Sequence, residues 1–223
     1  GMRYLDLLTA LFATVLLVSN VASTKLVVLG PFTFDGGTLL FPLAYIFGDV
    51  LTEVYGYRKS RRVIWIGFFA LLLATLTFQA VAHLPAPPDA ESQRFGEAFG
   101  LLLGLTPRIV LGSLLAYFLG EFANAYVLAK LKVRTEGRFF WLRALASTLV
   151  GQGLDTGVFL LVAFYGVFPK EVLLAVFLSN YAFKLGVEAL MLPFTYAVVG
   201  FLKRAEGMDA YDRDTDFNPF RLT

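Results

Sequence analysis

The chain has 223 residues, of which 57% are hydrophobic and 16% are charged, and its mean hydropathy is +0.69. Soluble globular proteins carry about 25% charged residues, so this composition indicates an integral membrane protein. The formal net charge of +2 is too small to indicate a nucleic-acid surface. The sequence contains no cysteine, which excludes disulfides, thiolate metal sites and cysteine catalysis.

Six stretches of the chain are apolar enough to cross a bilayer as helices, for which about 20 residues each are needed. They cover roughly 4–26, 38–56, 62–83, 107–130, 139–165 and 170–203. In the long link after the third stretch, Pro85, Pro87 and Pro88 stop the helix, and apolar residues at helical spacing then predict a short helix at the outer interface. We therefore predict an all-α membrane protein with six transmembrane helices in one domain over 2–204 and an acidic tail over 205–223.

Basic residues are concentrated in two links, one between predicted helices two and three and one between predicted helices four and five. They are Arg58, Lys59, Arg61 and Arg62 in the first link and Lys130, Lys132, Arg134 and Arg138 in the second. The positive-inside rule assigns both links to the cytoplasm. Strict alternation of six spans then places the N- and C-termini in the cytoplasm as well.

Several charged side chains lie inside the apolar stretches. They are Asp49, Glu53, Glu121, Asp155, Lys184 and Glu188. At the centre of a spanning helix each costs about 2.5–3.5 kcal/mol on insertion scales, so each needs a partner or a polar cavity. Counting from the helix ends places Asp49, Asp155 and Lys184 about 15–21 Å deep, near the middle of a core about 30 Å thick. These residues could simply tie helices together, but charges that converge from four helices favour a cavity for a ligand.

Polar and small residues also recur at helical spacing. Asn20 and Thr24 share a face of helix one, Thr148, Gln152 and Asp155 share a face of helix five, and Asn180, Lys184 and Glu188 share a face of helix six. On helix four the residues at every fourth position are Arg108, Gly112, Ala116, Gly120 and Asn124. Small residues at this spacing predict close packing against a neighbour, either within the chain or across a homodimer.

The residues do not indicate an enzyme. The sole histidine, His83, cannot supply a zinc-binding pair or the base of a serine triad, and the sequence has no phosphate-binding P-loop. Asp49 and Asp155 could form the carboxylate pair of an aspartyl protease, but Lys184 at the same depth would keep both ionised. Charges of both signs together with amides suit a hydrogen-bonding solute better than the bare ion of a channel. The residues alone therefore predict a transporter for a polar, planar solute, without catalytic residues, metal or cofactor.

Motifs along the chain resemble those of a known family. They are Ser19-Asn20 followed by Lys25, the run Gly-Asp-Val-Leu-Thr-Glu-Val-Tyr-Gly at 48–56, Arg108 with Gly112-Ser113, Ser147-Thr148 with Gly151-Gln152 and Asp155, and Asn180-Tyr181 with Lys184 and Glu188. They resemble the queuosine precursor transporters, a vitamin-uptake-like family of six-helix proteins of the bacterial inner membrane. The resemblance implies uptake of 7-cyano-7-deazaguanine and 7-aminomethyl-7-deazaguanine for tRNA modification, and a helical plan related to the substrate-binding subunits of energy-coupling-factor transporters.

The resemblance and the polar faces together give a set of candidate substrate-binding residues. They are Asn20, Lys25, Asp49, Glu53, Arg108, Asn124, Gln152, Asp155, Asn180, Lys184 and Glu188. For a guanine-like solute we expect Asp155 or Glu53 to accept from the N–H edge, and Asn20, Gln152 or Lys184 to donate to the carbonyl. The alternative function is that of a substrate-binding subunit of an energy-coupling-factor complex for another planar, vitamin-like compound.

Overall fold

The computed structural model describes residues 2–30 and 32–221. In that part of the chain it contains seven α-helices and one short β-hairpin. The helices are α1 (Leu5–Ala22), α2 (Phe41–Val50), α3 (Tyr57–Ala82), α4 (Ala90–Leu103), α5 (Pro107–Arg134), α6 (Phe140–Phe164) and α7 (Lys170–Glu206). The hairpin pairs β1 (Leu26–Leu29) with β2 (Phe32–Asp35) in antiparallel fashion, and a 3₁₀ turn over Gly36–Leu39 leads from it into α2.

Five helices, α1, α3, α5, α6 and α7, are long and apolar enough to cross a membrane. Many of their large apolar side chains are exposed on the outside of the bundle, as lipid-facing side chains are. The prediction of a helical membrane protein is therefore confirmed. Helix α4 lies in the link predicted to hold a short helix, and it begins where the carboxylate of Asp89 accepts a hydrogen bond of 2.9 Å from the backbone N–H of Ser92.

The second predicted stretch, 38–56, differs from the expectation of a full-length span. The structure has the ten residues of α2 followed by a π-helical turn over Leu51–Tyr55. Together they reach about 22 Å at 1.5 Å per residue, less than a hydrocarbon core of about 30 Å. Gly56 ends the segment with a φ of 87°, a conformation that only glycine adopts without strain. A run of hydrophobic residues alone did not reveal this interruption.

Two other helix ends also differ from the sequence-based boundaries. Helix α1 ends at Ala22 rather than near residue 26, so Lys25 lies in the turn that precedes the hairpin. Helix α7 continues to Glu206 instead of ending at residue 203. The first helix stops early because the backbone N–H of Gly36 bonds to the carbonyl of Lys25 and draws the chain into the hairpin.

Both basic links lie at the same end of the bundle, which we call the basic end. The side chains of Lys132 near the end of α5, Arg143 near the start of α6 and Lys203 near the end of α7 all contact Glu53 in the π-helical turn. The start of α1 is at this end too, because the N–H of Tyr4 donates to the carboxylate of Glu206 at 3.1 Å. The first and last helices therefore begin and end on the same side of the bundle.

The small-residue face of α5 packs against α6 within the chain. A Cβ atom at Gly120 would lie 2.8 Å from Cβ of Asp155 and 2.9 Å from the carbonyl oxygen of Gly151. A Cβ atom at Gly151 would likewise lie 2.9 Å from Cβ of Asn124. The predicted close approach is confirmed. The sequence left open whether the neighbour is a helix of the same chain or of a second copy, and in the structure it is α6 of the same chain.

The residues after α7 fold back over the basic end. We call residues 207–221 the tail. The carboxylate of Asp212 accepts from the N–H of Tyr57 at 3.0 Å, and the guanidinium of Arg61 donates to two tail carbonyls at 2.9 and 2.8 Å. The indole N–H of Trp65 donates to the carbonyl of Pro219 at 2.6 Å. The segment that the sequence presents as an acidic tail is thus bound to the start of α3.

We expect Gly120→Ala to destabilise the protein. The new methyl group has no room between α5 and α6, and overpacking of this kind costs about 1–3 kcal/mol. The measurement is the midpoint of thermal unfolding of the purified protein in detergent. Gly186→Ala in α7 is the matched control, because a Cβ atom there meets nothing within 4 Å. A midpoint for Gly120→Ala equal to that of the control would contradict the close packing.

Candidate functional site

A cavity of about 210 Å³ lies between α1, α2, α3, α5, α6 and α7. Its polar lining includes groups of every type that a hydrogen-bonding solute needs, namely carboxylates, an amide, an ammonium and hydroxyls. The residues are Ser19, Asn20, Ser23, Thr38, Tyr45, Ser113, Tyr117, Glu121, Asp155 and Lys184. Leu16, Ala44, Leu71, Ala116 and Phe159 supply apolar surface. Three of the predicted binding residues, Asn20, Asp155 and Lys184, therefore line one cavity.

Side chains of both charge signs line the cavity. The hydroxyl of Tyr45 donates to the carboxylate of Asp155 at 3.3 Å, and the ammonium of Lys184 donates to the hydroxyl of Thr156 at 3.1 Å. Lys184 and Asp155 are close enough to attract one another. Glu121, which is only 5% exposed, adds a second carboxylate. The cavity thus offers hydrogen-bond acceptors on α5 and α6 and a cationic donor on α7.

A second polar group lies against the cavity and is fully buried. We call it the polar layer; its residues are Asp49, Asn124, Thr148, Gln152 and Glu188. The amide of Asn124 donates to Asp49 at 3.1 Å, and the carboxyl of Glu188 faces Asp49. Within residues 2–30 and 32–221, neither amide atom of Gln152 has a hydrogen-bond partner, and the same holds for Oδ1 of Asn124 and Oγ1 of Thr148. Buried polar atoms are nearly always paired, so this layer has unused capacity to bind a solute or water.

The two groups are continuous. Glu121 and Asn124, on the same face of α5, both approach Gly48: a Cβ atom there would be 3.4 Å from the carboxylate of Glu121 and 3.7 Å from the amide of Asn124. Along the antiparallel pair α6 and α7, Lys184 meets Thr156, so Gln152 lies one turn farther along, level with Glu188. The polar layer therefore extends from the cavity toward the basic end.

Glu53 lies in a different environment, at the centre of an ion-pair cluster. Its carboxylate receives two bonds from Arg143, at 2.5 and 3.1 Å, and one from Lys203 at 3.0 Å. Lys132 is 3.8 Å from the same carboxylate and donates to the backbone carbonyl of Glu53 at 2.7 Å. The tail completes the cluster, because Asp209 accepts from Lys132 and from Lys203. This carboxylate is surrounded by protein cations and does not line the cavity.

Three other predicted residues lie away from the cavity and the polar layer. The guanidinium of Arg108 donates to the carbonyls of Val162 and Tyr165, at 3.0 and 2.8 Å, and so joins the start of α5 to the end of α6. Lys25 is exposed in the turn before β1, and Asn180 is exposed on α7. Asn180 shares a face of α7 with Lys184 and Glu188, but α7 is long, and at Asn180 this face is exposed.

Several residues that build the site were not among those predicted to bind. Tyr45 and Tyr117 were not distinguished from the other aromatic residues, and Glu121 was recognised as a buried charge but not as a cavity residue. A signal for two of them was present, since Tyr117, Glu121 and Asn124 follow one another at helical spacing on α5. Arg143 gave no such signal, because its partner Glu53 is 90 residues away in the chain.

No group of three or more His, Asp or Glu side chains among the described residues is arranged to hold a metal ion. Separate acceptors and donors face a cavity inside a helical bundle, an arrangement typical of small-molecule binding sites. Of the buried acids, Glu121 and Asp155 line this cavity.

Comparison with known proteins gives one family and several relatives. The model of the putative vitamin uptake transporter family matches residues 35–198. A probable queuosine precursor transporter of Bacillus subtilis (strain 168) is 36% identical over 83% of this chain and 80% of its own length. The queuosine precursor transporter of Escherichia coli (strain K12) is 27% identical over 73% of this chain and 71% of its own length. No solved structure matches the chain.

We expect Arg143→Met to destabilise the protein strongly. The substitution leaves Glu53 buried without its bidentate partner, and breaking a buried ion pair costs about 3–5 kcal/mol. The thermal unfolding midpoint in detergent measures the effect. Arg138→Met, which removes an exposed arginine five residues earlier, is the control. The double variant Glu53→Gln with Arg143→Met should recover part of the loss, and no recovery would contradict the pairing.

The cluster also predicts a dependence of stability on pH. Burial alone would raise the pKa of Asp209, but the hydrogen bonds from Lys132 and Lys203 outweigh it and hold that pKa below its ordinary value. A lowered pKa contributes stability above the ordinary value of about 3.9, and the contribution is lost as pH falls through the folded-state pKa. Asp209→Asn should therefore flatten the decline of the unfolding midpoint below about pH 4. Asp214→Asn, a change at an exposed tail position, should leave that decline as in the unmodified protein.

Proposed function

The chain belongs to the putative vitamin uptake transporter family, and from this premise we propose that it imports queuosine precursors across the bacterial inner membrane. The relatives' names support this substrate class, and they do not favour the alternative of a subunit for another vitamin-like compound. The observation that supports this proposal most directly is the cavity, whose lining combines carboxylates with an ammonium inside an otherwise apolar bundle. A set of polar groups at this depth is costly unless it serves a solute.

The proposed ligands are 7-cyano-7-deazaguanine and 7-aminomethyl-7-deazaguanine, and their chemistry fits the lining. The guanine-like ring has a carbonyl that needs a donor and an adjacent N–H and amino group that need an acceptor. We propose that Lys184 donates to the carbonyl and that Tyr45, Tyr117 and Phe159 contact the ring faces. Asn20 and Asp155 complete the cavity lining, and the polar layer of Asp49, Asn124, Gln152 and Glu188 receives the solute next.

We further propose that the basic end faces the cytoplasm. The basic links at this end support that orientation under the positive-inside rule, as does the common position of the chain termini. The short α2 with its π-helical turn then forms the remaining crossing, which gives six in one domain over 2–204. The predicted acidic tail, 205–223, then lies on the cytoplasmic side, and its described residues 207–221 cover the ion-pair cluster. Glu53, Arg108, Lys25 and Asn180 lie outside the proposed solute path.

We also propose that one chain is a complete transport unit. The small-residue face of α5, which could have served a homodimer, is used against α6. All the described groups that line the cavity come from helices and turns of a single chain. The protein contributes binding and a path, and not a chemical reaction.

The direct test is uptake of radiolabelled 7-cyano-7-deazaguanine into proteoliposomes that contain only this protein. We expect uptake above that of empty liposomes, competed by the unlabelled compound. Lys184→Gln should lower the affinity about tenfold or more, because a hydrogen bond to a charged group contributes about 1.5–3 kcal/mol. Lys170→Gln removes the same charge from an exposed position on the same helix and should change little. Uptake that appears only with an added ATPase module would overturn the proposal.

A further inference from the structure

We infer that Glu121 is the carboxylate that reads the donor edge of the ligand, that is, a ring N–H and the amino group beside it. The inference rests on the proposed function and adds to it a residue that determines specificity. It concerns the discrimination between a 2-amino-6-oxo heterocycle and the same heterocycle without the amino group.

The first observation is the state of the Glu121 side chain. It is 95% buried, and it lines the cavity. It makes no hydrogen bond and no ion pair with any residue in the described ranges 2–30 and 32–221. A carboxylate that is removed from bulk water and has no donor carries an uncompensated desolvation cost. Two N–H groups of a ligand would remove that cost, and they would do so only when the ligand is bound.

The second observation is that the neighbouring acids already have partners. Glu53 is held by Arg143 and Lys203. Asp155 accepts from the hydroxyl of Tyr45 and lies close to Lys184. Asp49 accepts from Asn124. Glu188 shares a hydrogen bond with Asp49. Of the two acids that line the cavity, Glu121 on α5 is therefore the one with both oxygens available to accept from a ligand there.

The third observation is the space around this carboxylate. On the side of α2 it faces Gly48, where a Cβ atom would stand 3.4 Å from Oε2, in ordinary contact. Glycine at this position leaves that contact unfilled. On the other side, α5 is fixed by its close contact with α6 at Gly120, the residue before Glu121. The backbone that carries Glu121 is therefore rigid, and the carboxylate is placed before the ligand arrives.

The ligand ring has a donor edge and an adjoining carbonyl, and their different hydrogen-bond chemistry assigns the remaining partners. A carboxylate accepts two parallel hydrogen bonds from adjacent N–H groups, which an amide cannot do because one of its two ends is a donor. Lys184, on α7, then donates to the carbonyl that adjoins the N–H of the same ring. A ligand without the amino group leaves one oxygen of Glu121 buried and unpaired, and sites of this kind reject such analogues strongly.

The test compares two ligands on purified protein in detergent by isothermal titration calorimetry. They are 7-cyano-7-deazaguanine and 7-cyano-7-deazahypoxanthine, which lacks the amino group. We expect the unmodified protein to prefer the first by about thirtyfold or more. Glu121→Gln should weaken binding of the first ligand about tenfold to a hundredfold and binding of the second by less than about threefold, so that the preference is lost. The glutamine has the same shape and removes a buried charge, so the variant should unfold at the same temperature or higher.

The outcomes separate this inference from the function on which it rests. If the unmodified protein binds neither ligand, the proposed function fails and the inference fails with it. In the other outcomes, the unmodified protein distinguishes the two ligands while Glu121→Gln keeps the same preference or loses affinity for both ligands equally. Either result overturns the assignment of Glu121 and leaves the proposed function standing. Lys184→Gln, measured beside it, should weaken both ligands alike because both have the carbonyl. If Glu121→Gln does not fold, Glu121→Asp provides the same comparison, because its side chain is one methylene shorter and holds the carboxylate farther from the ligand.

Discussion

The buried carboxylate of Glu53 holds together the parts of the chain that meet at the basic end. Arg143 on α6, Lys132 on α5 and Lys203 on α7 converge on the π-helical turn that carries it. Removing one partner from a buried ion pair is costly, so these contacts hold the four segments together at this end. The tail depends on the same cations through Asp209, and a second set of bonds attaches it to α3. The basic end is consequently closed by paired charges.

The opposite half of the bundle is built differently, because there the polar groups are left facing a cavity. Close packing of α5 on α6 sets Asp155 against Gly120 and Asn124 against Gly151. A protein that only needed stability would pair its buried polar groups or replace them with apolar residues. Glu53 is paired by cations, whereas Glu121 has no partner in the described chain, and in the proposed function this contrast separates residues that hold the helices from residues that bind the solute.

The order of these layers supports the solute path that we propose. The cavity includes Ser23 and Thr38, which lie at the end remote from the basic end, and the polar layer is deeper. Beyond that layer lie the ion-pair cluster and the tail. On the proposed path, release on the far side requires these charges to separate or shift, and helix movement around a central site is the usual way in which transporters do this. The bonds from the tail to Tyr57, Arg61 and Trp65 would resist such a movement.

The sequence by itself determined the class of the protein, the long helices, the helix in the link before α5, and the common level of Asp155 and Lys184 along their helices. These follow from hydrophobicity and helical spacing, which are local properties. The family resemblance added the motif positions. The sequence also indicated the close face of α5, because small residues at every fourth position have few other uses in a membrane helix.

Only the tertiary structure decided which acid has which partner. Glu53, Asp155 and Glu121 are alike in the sequence as isolated carboxylates within apolar helices, yet one is bound by three cations, one by a tyrosine hydroxyl, and one by nothing in the described chain. Their partners lie far away in sequence, and local patterns carry no information about such pairs. The short α2 and the docked tail escaped prediction for the same reason: long-range contacts, which exist only after the helices have packed, fix where each segment stops.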